Sequence, residues 1–364
     1  MDSLLVIDGS VLEGGGQILR NALSLSCILR RPIKVHKIRA GRPKPGLAAQ
    51  HLFGLNLLQQ ITNGRVTGNA IGSTSIEFHP GEIQSGKYYA DTKTAASISL
   101  LMQVALPVLM FGKNVSELEL KGGTNAAMAP PVDFMTEIFR PNLEKFGTTF
   151  DLDLLRRGYF PKGGGHCRVT VYPAKQLNPI EIINFGEIAE VFGWSYVAGV
   201  LPLNIAQEME KGAVDVLEKC GTKKINIEVY KESQQMSRDP GSGIILGAST
   251  SSGCVLGSSA LGDPKTKPYQ KAASAANELL SAICNRECID QHVQDQLIIY
   301  MALANGTSTI QTGKLTTHTL TAIHVAELMT GVKFETTEDP RSGVSVVKCK
   351  GIGIINNSMP NSDK

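Results

Sequence analysis

A segment pattern that occurs three times along the chain most constrains its fold. Each copy runs from a strand through a glycine and a loop into a helix, in residues 33–61, 116–146 and 308–331. A helix rich in Ala, Leu and Ser precedes each copy, and two β-rich segments follow it. One unit therefore reads β-α-β-α-β-β, although its first strand is the least clear element of the third copy. Three such units side by side bury their helices against their sheets, which predicts an α/β (α+β) fold.

The spacing of the copies is interrupted once. The first two strand-ending glycines, Gly41 and Gly123, are 82 positions apart, whereas Gly123 and Gly313 are 190 apart. The excess of 108 residues matches one small domain. We therefore predict a domain of three βαβαββ units in residues 1–185 plus 286–364, and an inserted small α/β domain in 186–285.

The composition favours a soluble intracellular protein. Hydrophobic residues make up 42% of the 364 and charged residues 19%, which is enough for a sizeable core. The net charge of +3 does not by itself indicate a nucleic-acid partner, because phosphate binding needs local clusters of Lys and Arg. The seven cysteines form no CxxC pair, which favours reduced thiols over disulfides or zinc. The start does not resemble a signal peptide, and the longest apolar run, 96–111, contains Gln103 and Pro107, so we expect neither secretion nor a membrane span.

Three consecutive glycines, at 14–16, open the first helix. Backbone N–H groups at a helix N-terminus attract anions, and glycine lets a phosphate approach closely. Glu13 beside the run is a candidate metal ligand, and Arg20, one turn into the helix, is a candidate phosphate ligand. The run matches neither the GxGxxG nor the P-loop fingerprint, and on its own it is more typical of a tight turn. A second glycine run, in residues 161–169, favours a hairpin or a bulge.

The basic segment 37–51 contains Arg39, Arg42, Gln50 and His51 around a strand-ending glycine. Arginine binds phosphate through two parallel hydrogen bonds and keeps its charge at physiological pH. The segment therefore indicates a clamp for RNA or a triphosphate, and a solvated basic loop explains it equally well.

Two further segments allow two interpretations each. Pro130 and Pro131 precede a helix, where they mark a helix start or form a flat apolar wall for a nucleobase. Asp295 and Gln296 lie on a helix that is otherwise rich in Leu, Ile, Met and Ala. The carboxylate there is a candidate Mg²⁺ ligand, and the alternative is an exposed helix face.

His318 and His324 lie on the helix of the third copy. Thr316 is the predicted N-cap, which puts His318 in the first turn, where the helix dipole favours neutral imidazole and a bound anion. Neutral imidazole is a nucleophile. A lone histidine at a helix end is usually not catalytic, however, so the pattern alone does not select this role. His324 lies on a different face of the helix, and we expect it to be structural.

Six motifs taken together resemble the RNA 3′-terminal phosphate cyclase family, and the resemblance covers nearly the whole chain. In order they are DGSVLEGGGQILR, IRAGRPKPGLAAQHL, GGTNAAMAPPVDF, RGYFPKGGG, QDQLIIYMALANG and THTLTAIHVAE. The resemblance implies three βαβαββ units similar to the C-terminal domain of translation initiation factor three, with a smaller inserted α/β domain. It also implies a location in the nucleoplasm of the nucleus, with the cytosol as the alternative.

The resemblance implies an ATP-dependent ligase that uses Mg²⁺ or Mn²⁺ and acts on RNA with a 3′-phosphate end. A histidine of the enzyme takes AMP from ATP, and the AMP passes to the RNA 3′-phosphate, giving an RNA-(3′)pp(5′)A intermediate. The neighbouring 2′-OH then attacks and releases AMP, leaving a 2′,3′-cyclic phosphodiester. Adenylylation turns a poor leaving group into a good one, and the last attack is intramolecular.

The same resemblance assigns roles to the motif residues. The nucleophile is His318, and the metal-binding residues are Glu13 and Asp295. The contacts to the phosphate or the RNA end are Arg20, Arg39, Arg42, Gln50 and His51. The contacts to the nucleotide are Gln103, Asp295, Gln296, His292 and the adenine platform of Pro130 or Pro131. A tyrosine commonly stacks on the adenine where this chain has His292, so the resemblance leaves ATP affinity and base preference open.

Two other classes of protein fit part of these observations. Cyclase-like proteins of ribosomal RNA processing share the fold as non-catalytic factors of ribosome biogenesis, but His318 and the intact EGGGQILR segment argue against them. Enolpyruvyl transferases repeat units of similar topology, usually six of them in a longer chain. Three units and an insert therefore disfavour that class.

Overall fold

The computed structural model describes residues 4–221, 224–237 and 239–359. Within these ranges lie four mixed sheets of four strands each, with helices between and against them. The predicted α/β class is therefore confirmed. No helix in the same ranges is both long and apolar enough to cross a membrane.

The first two repeats have the same topology. The first comprises β1 (Leu5–Asp8), α1 (Gly16–Leu29), β2 (Ile33–His36), α2 (Ala49–Thr62), β3 (Arg65–Thr67) and β4 (Ile76–His79). The second comprises β5 (Lys87–Asp91), α3 (Ile98–Leu109), β6 (Ser116–Gly122), α4 (Val132–Phe134), a π-helical turn (Met135–Phe139), α5 (Arg140–Glu144), β7 (Phe150–Arg156) and β8 (Gly165–Val171). The strand orders are β1-β2-β4-β3 and β5-β6-β8-β7, and in each sheet the first pair is parallel and the others are antiparallel.

A separate sheet follows the short strand β9 (Glu181–Ile182). It comprises β10 (Ile188–Ala198), α6 (Asn204–Leu217), a 3₁₀ turn (Glu218–Cys220), β11 (Ile225–Lys231), β12 (Gly241–Thr250), β13 (Val255–Leu261) and α7 (Pro268–Cys284). The strand order is β11-β10-β12-β13, and α6 and α7 pack against this sheet and against each other. We call residues 188–284 the inserted unit. The domain boundaries at 186 and 285 stay predictions, and the inserted unit lies within the predicted inserted domain of residues 186–285.

The third repeat continues with α8 (Gln294–Leu303), β14 (Thr307–Thr312), α9 (Thr317–Thr330), β15 (Phe334–Glu338) and β16 (Ser345–Lys350). Its strand order is β9-β14-β16-β15, and β9 is parallel to β14, so β9 takes the place that β1 and β5 have in the other repeats. This two-residue strand is the element that the sequence pattern defines least clearly. The inserted unit therefore lies between the first strand and the first helix of the third repeat.

Helices from all three repeats share one core. Helix α1 contacts α2, α3 and α9, and α8 contacts α3 and α9. Their buried side chains include Leu25, Leu101 and Ile298, which are removed from water on folding. The packing also brings loops of different repeats together, since the Glu13 N–H before α1 donates to Thr321 Oγ1 on α9 at 3.2 Å. The shared core thus places the glycine run of the first repeat beside the histidine helix of the third.

Candidate active site

The glycine run forms a bare helix start over which Glu13 folds back. Gly14 has φ +57°, and α1 begins at Gly16 with Gly15 as an N-cap that makes no side-chain hydrogen bond. The Glu13 carboxylate fills the space in which a Cβ of residue 15 would stand. Glycine at this position therefore permits the carboxylate to lie at the positive end of the helix, where the dipole favours a negative charge.

The two oxygens of Glu13 have different surroundings. Oε1 forms an ion pair with Arg42 and lies 3.8 Å from Nε2 of His318. Oε2 is buried without a hydrogen-bond partner among the described residues, and the side chain is only 10% exposed. A buried carboxylate oxygen without a partner is costly. It is the kind of atom that a bound cation would satisfy.

His318 stands in the first turn of α9, and the predicted N-cap is confirmed. Thr316 Oγ1 accepts a hydrogen bond from the Thr319 N–H at 3.1 Å. Gln294 Oε1 accepts from Thr319 Oγ1 at 2.8 Å and from the Thr316 N–H at 3.3 Å, so that α8 fixes this end of α9. The imidazole itself is 54% exposed. A capped helix start therefore presents an accessible imidazole.

Asp295 and Arg20 lie where α8 meets α1, and Gln17 connects them. Gln17 Nε2 donates to Asp295 Oδ2 at 2.9 Å, and Gln17 Oε1 accepts from Arg20. Burial raises the pKa of Asp295, while the charges of Arg20 and His318 act in the opposite direction. Burial also lowers the pKa of Arg20, against the attraction of Asp295 and Glu13. Both side chains are half-buried, so their charges interact more strongly than charges at an exposed surface.

A cavity of about 680 Å³ lies between these elements, and its volume is typical of a small-molecule site. All three repeats and the inserted unit contribute to its wall. It brings most of the predicted nucleotide residues together with the proposed nucleophile. The predicted residues on its wall are Arg20, Gln103, Pro130, Pro131, His292, Asp295 and His318.

The inserted unit forms one wall of the cavity, which sequence reasoning missed. The lining residues of β13 and α7 are Ser259, Ala260, Leu261, Lys271, Ser274, Ala275 and Glu278. On an amphipathic helix such as α7, a polar residue that faces a cavity has the same spacing as one that faces solvent. No local signal therefore distinguished these positions.

His292 interacts with Glu278 across this wall. Its Nε2 lies 2.5 Å from Glu278 Oε1, and its ring meets Phe134 edge-on with the ring centroids 6.0 Å apart. Burial opposes the charged imidazole, but the carboxylates of Glu278 and Asp290 outweigh it and raise the pKa of His292. A side chain of the inserted unit thus orients the predicted base-stacking residue of the third repeat.

Four predicted phosphate-binding residues lie beside the glycine run instead of on the large cavity. Arg42 pairs with Glu13, and Arg39 donates to the Gly46 carbonyl at 2.9 Å. His51 Nδ1 accepts from the Ala48 N–H at 3.1 Å, which leaves the proton of the neutral ring on Nε2. Burial and the charges of Arg20 and Arg39 lower the pKa of His51 to about 3. His51 is therefore a neutral hydrogen-bond donor.

A small space lies between two of these residues, Gln50 and His51, and Arg20. It measures about 10 Å³, close to the space of one water molecule, and it is lined by Arg20, Gln50 and His51 among others. A Cβ on Gly16 would lie 2.5 Å from His51 Nε2 and 3.0 Å from Arg20 Nη1, so only glycine leaves both groups at the helix start. Because Arg20 borders both spaces, the two groups of predicted residues adjoin.

Comparison with known proteins identifies the family. A sequence model described as RNA 3′-terminal phosphate cyclase matches residues 11–336. The chain belongs to this family. It is 49% identical to the RNA 3′-terminal phosphate cyclase of Drosophila melanogaster over 98% of both chains. It is 36% identical to the RNA 3′-terminal phosphate cyclase of Pyrobaculum aerophilum, over 95% of this chain and 98% of the relative. It is 38% identical to the probable RNA 3′-terminal phosphate cyclase of Dictyostelium discoideum, over 98% of this chain and 84% of the relative.

Two residues of the third repeat lie off the cavity wall in this member of the cyclase family. Gln296 is buried, and its Nε2 donates to the His292 carbonyl at 2.7 Å, so it supports His292 from behind. Its buried Oε1 has no hydrogen-bond partner among the described residues, and its contact with the nucleotide stays a prediction. His324 is half-buried and is also absent from the wall.

The donors for a metal in this cyclase family member are few. In the described ranges, no group of three or more His, Cys, Asp or Glu side chains is placed to hold a metal ion. Mg²⁺ is commonly held by one or two carboxylates together with water and substrate phosphates. The unpartnered Glu13 Oε2 is a free donor atom of the kind that this mode of binding uses, and the metal-binding roles of Glu13 and Asp295 stay predictions.

Proposed function

We propose that this member of the cyclase family uses ATP to convert the 3′-phosphate end of an RNA to a 2′,3′-cyclic phosphodiester. The observation that carries the proposal is the position of His318. It is an exposed imidazole in the first turn of a helix, 3.8 Å from a buried carboxylate and on the wall of a cavity of nucleotide size. The relatives named RNA 3′-terminal phosphate cyclase support the overall reaction.

In the first step, a nitrogen of His318 attacks the α-phosphorus of ATP. An N–P bond forms, the bond to the bridging oxygen breaks, and pyrophosphate leaves with the electron pair. The positive end of α9 and the guanidinium of Arg20 stabilise the negative charge that develops at the phosphorus. The other ring nitrogen of His318 keeps its proton, which makes the imidazole a good leaving group for the second step.

In the second step, an oxygen of the RNA 3′-phosphate attacks the same phosphorus and releases His318, giving RNA-(3′)pp(5′)A. The 2′-OH then attacks the 3′-phosphorus and gives up its proton, AMP leaves, and the ring closes. Arg39, Arg42, Gln50 and His51 hold the RNA phosphate by charge and hydrogen bonding. The final attack is intramolecular and needs little beyond orientation.

The nucleotide is held by the cavity wall. Pro130 and Pro131 offer a flat apolar surface to the base, and the His292 ring, fixed by Glu278, offers a second. Glu13 and Asp295 would hold Mg²⁺ or Mn²⁺, which neutralises the charge of the triphosphate when bound. By family resemblance we place the reaction in the nucleus, which cell fractionation tests.

The histidine assignment is tested with ATP labelled in its α-phosphate. Wild-type protein with Mg²⁺ should retain the label covalently, and His318→Ala should retain none. His324→Ala changes a histidine of the same helix that lies off the cavity wall, and it should be labelled like the wild type. If wild type takes up no label, or if His318→Ala takes up as much, the assignment fails. A wild type that binds RNA without labelling or cyclising would be a non-catalytic cyclase-like factor of ribosomal RNA processing.

A further inference from the structure

Of the six family motifs, RGYFPKGGG (residues 157–165) is the one that contributes no residue to the proposed function. Its first residue, Arg157, is among the most buried charged groups of the described chain, with 5% of its side chain exposed. Charged side chains are rarely buried so completely unless they are paired. The partners of Arg157 therefore show which parts of the molecule it connects.

All three guanidinium nitrogens of Arg157 donate hydrogen bonds. Nη1 and Nη2 donate to the two carboxylate oxygens of Asp133 at 2.6 and 2.8 Å. Nη2 also donates to the Tyr230 hydroxyl at 3.2 Å, and Nε donates to the Glu232 carboxylate. The ring of Tyr196 covers one face of the guanidinium at 5.4 Å. A planar fork makes these bonds at once, whereas the single ammonium of lysine cannot.

These partners belong to two parts of the molecule. Tyr196 lies on β10, Tyr230 on β11 and Glu232 just after β11, all in the inserted unit. Asp133 lies in the second repeat, in the first turn of α4 and two residues after Pro131 of the cavity wall. Burial opposes the charge of Arg157, but Asp133 outweighs it and raises the pKa of the guanidinium. Arg157 therefore joins the inserted unit to the end of the cavity-wall loop 126–131.

The beginning of the same loop is held by the same part of the inserted unit. Asn125 Nδ2 donates to the Tyr196 hydroxyl at 2.8 Å, and Asn125 Oδ1 accepts from Thr124 Oγ1 at 2.6 Å. The Val132 N–H closes the loop by donating to the Thr124 carbonyl at 3.0 Å. All six residues of loop 126–131 line the cavity. Both ends of this wall are thus anchored to Tyr196 and to the guanidinium beneath its ring.

We propose that Arg157 is a positioning residue for ATP, which together with Tyr196 clamps both ends of loop 126–131 and fixes the wall formed by Pro130 and Pro131. The inference rests on the proposed function, since it takes ATP as the ligand of the cavity. Met128, in the middle of the loop, is 94% exposed and has φ +60°, a conformation that a residue other than glycine keeps only where its surroundings impose it. The clamp holds this conformation before ATP arrives, so binding does not have to order the loop.

Two variants weaken the clamp to different degrees. Arg157→Lys keeps a positive charge but loses the fork, and Tyr196→Phe removes only the hydroxyl that Asn125 meets. We expect the Kd and KM for ATP to rise about tenfold or more in Arg157→Lys and about threefold in Tyr196→Phe. The KM for the 3′-phosphate RNA and kcat should change less than about twofold, because loop 126–131 holds none of the RNA-end residues. Calorimetry with ATP and steady-state cyclisation measure these constants.

Arg156→Ala is the matched control, because this neighbouring arginine is exposed. Within the described ranges its side chain is bonded only through Nε, which donates to the Gly164 carbonyl at 2.8 Å. It should leave ATP binding unchanged. If circular dichroism shows that Arg157→Lys does not fold, the expected threefold rise in the Kd for ATP of Tyr196→Phe tests the inference instead. Unchanged ATP affinity in the folded variants overturns the inference, as does an equal rise in KM for ATP and RNA. A wild type that binds no ATP overturns the proposed function itself.

Discussion

The two sides of the candidate site, the repeats and the inserted unit, hold their charged residues in different ways. On the side of the repeats, Glu13 is only 10% exposed and is enclosed by α1, α9 and the basic loop. On the side of the inserted unit, Lys271 and Glu278 stand on the single helix α7 with side chains 34% and 37% exposed. Water screens exposed pairs, whereas a buried charge that loses its partner is expensive. The repeat side should therefore determine the rate of the reaction, and the inserted side should adjust the affinity for ATP.

Glu13→Gln should give the largest loss and tests the repeat side directly. The neutral amide leaves Arg42 without its partner and removes the charge beside His318. We expect the rate of covalent AMP transfer to fall about 100-fold or more, because a preorganised charge at the reacting group is lost. Single-turnover labelling measures this rate.

Glu77→Gln is the matched control for Glu13. Glu77 also meets an imidazole, that of His79 at 2.8 Å, but it lies on β4 with 34% of its side chain exposed. This variant should label at the wild-type rate. A loss below tenfold in Glu13→Gln, or a similar loss in both variants, would remove the distinction between the buried side and the exposed one.

The difference between the repeat side and the inserted side also explains which site residues could be predicted from the sequence. Arg20 and His318 follow a glycine run and a threonine cap, and helix starts are determined by a few neighbouring residues. Glu278 carries no such signal, since its role depends on how α7 packs against β13 and faces the cavity. All six family motifs lie on the repeats, so they gave no prediction for the wall that the inserted unit forms.

Two features of the fold show the limits of local patterns. The hairpin predicted for residues 161–169 is confirmed as the turn between β7 and β8, because Gly163 and Gly164, with φ near +70°, favour a turn. The same pattern did not reveal that Arg157, just before that turn, is buried between two parts of the molecule. Likewise, β9 has only two residues and becomes a strand through its pairing with β14. Pairing and burial of this kind depend on distant segments.

Arg42→Ala should give an intermediate effect that is larger on the RNA constants than on the ATP constants. We expect the KM for 3′-phosphate RNA to rise about tenfold and the salt dependence of log KM to decrease by about 0.7, the value for one phosphate contact on a single strand. The Kd for ATP should change less than the KM for RNA, although Glu13 loses its ion-pair partner. Arg30→Ala is the control, since Arg30 pairs with Glu82 at the surface and is 57% exposed. Unchanged cyclisation kinetics in Arg42→Ala would exclude a phosphate role.

Glu278→Gln should give the smallest effect, and its pH dependence tests the inserted side. The folded pKa of His292 is raised above 6.5, so its contribution to stability is complete below pH 6.5 and is lost as pH rises through the raised pKa. The folded pKa of Glu278 is lowered below 4.5 because His292 outweighs the effect of burial, so its contribution is complete above pH 4.5 and is lost in acid. Wild type and Glu278→Gln should therefore differ most in unfolding free energy between pH 4.5 and 6.5.

The size of that difference should be small. Both side chains are more than a third exposed, so we expect about 0.5 kcal/mol within the window, together with a rise of about twofold in the KM for ATP. Urea denaturation below, within and above the window measures the first quantity. A difference that stays constant with pH would mean that the pair is not an ion pair. A loss of covalent labelling as large as that of Glu13→Gln would mean that the inserted unit takes part in the chemistry and does not only adjust affinity.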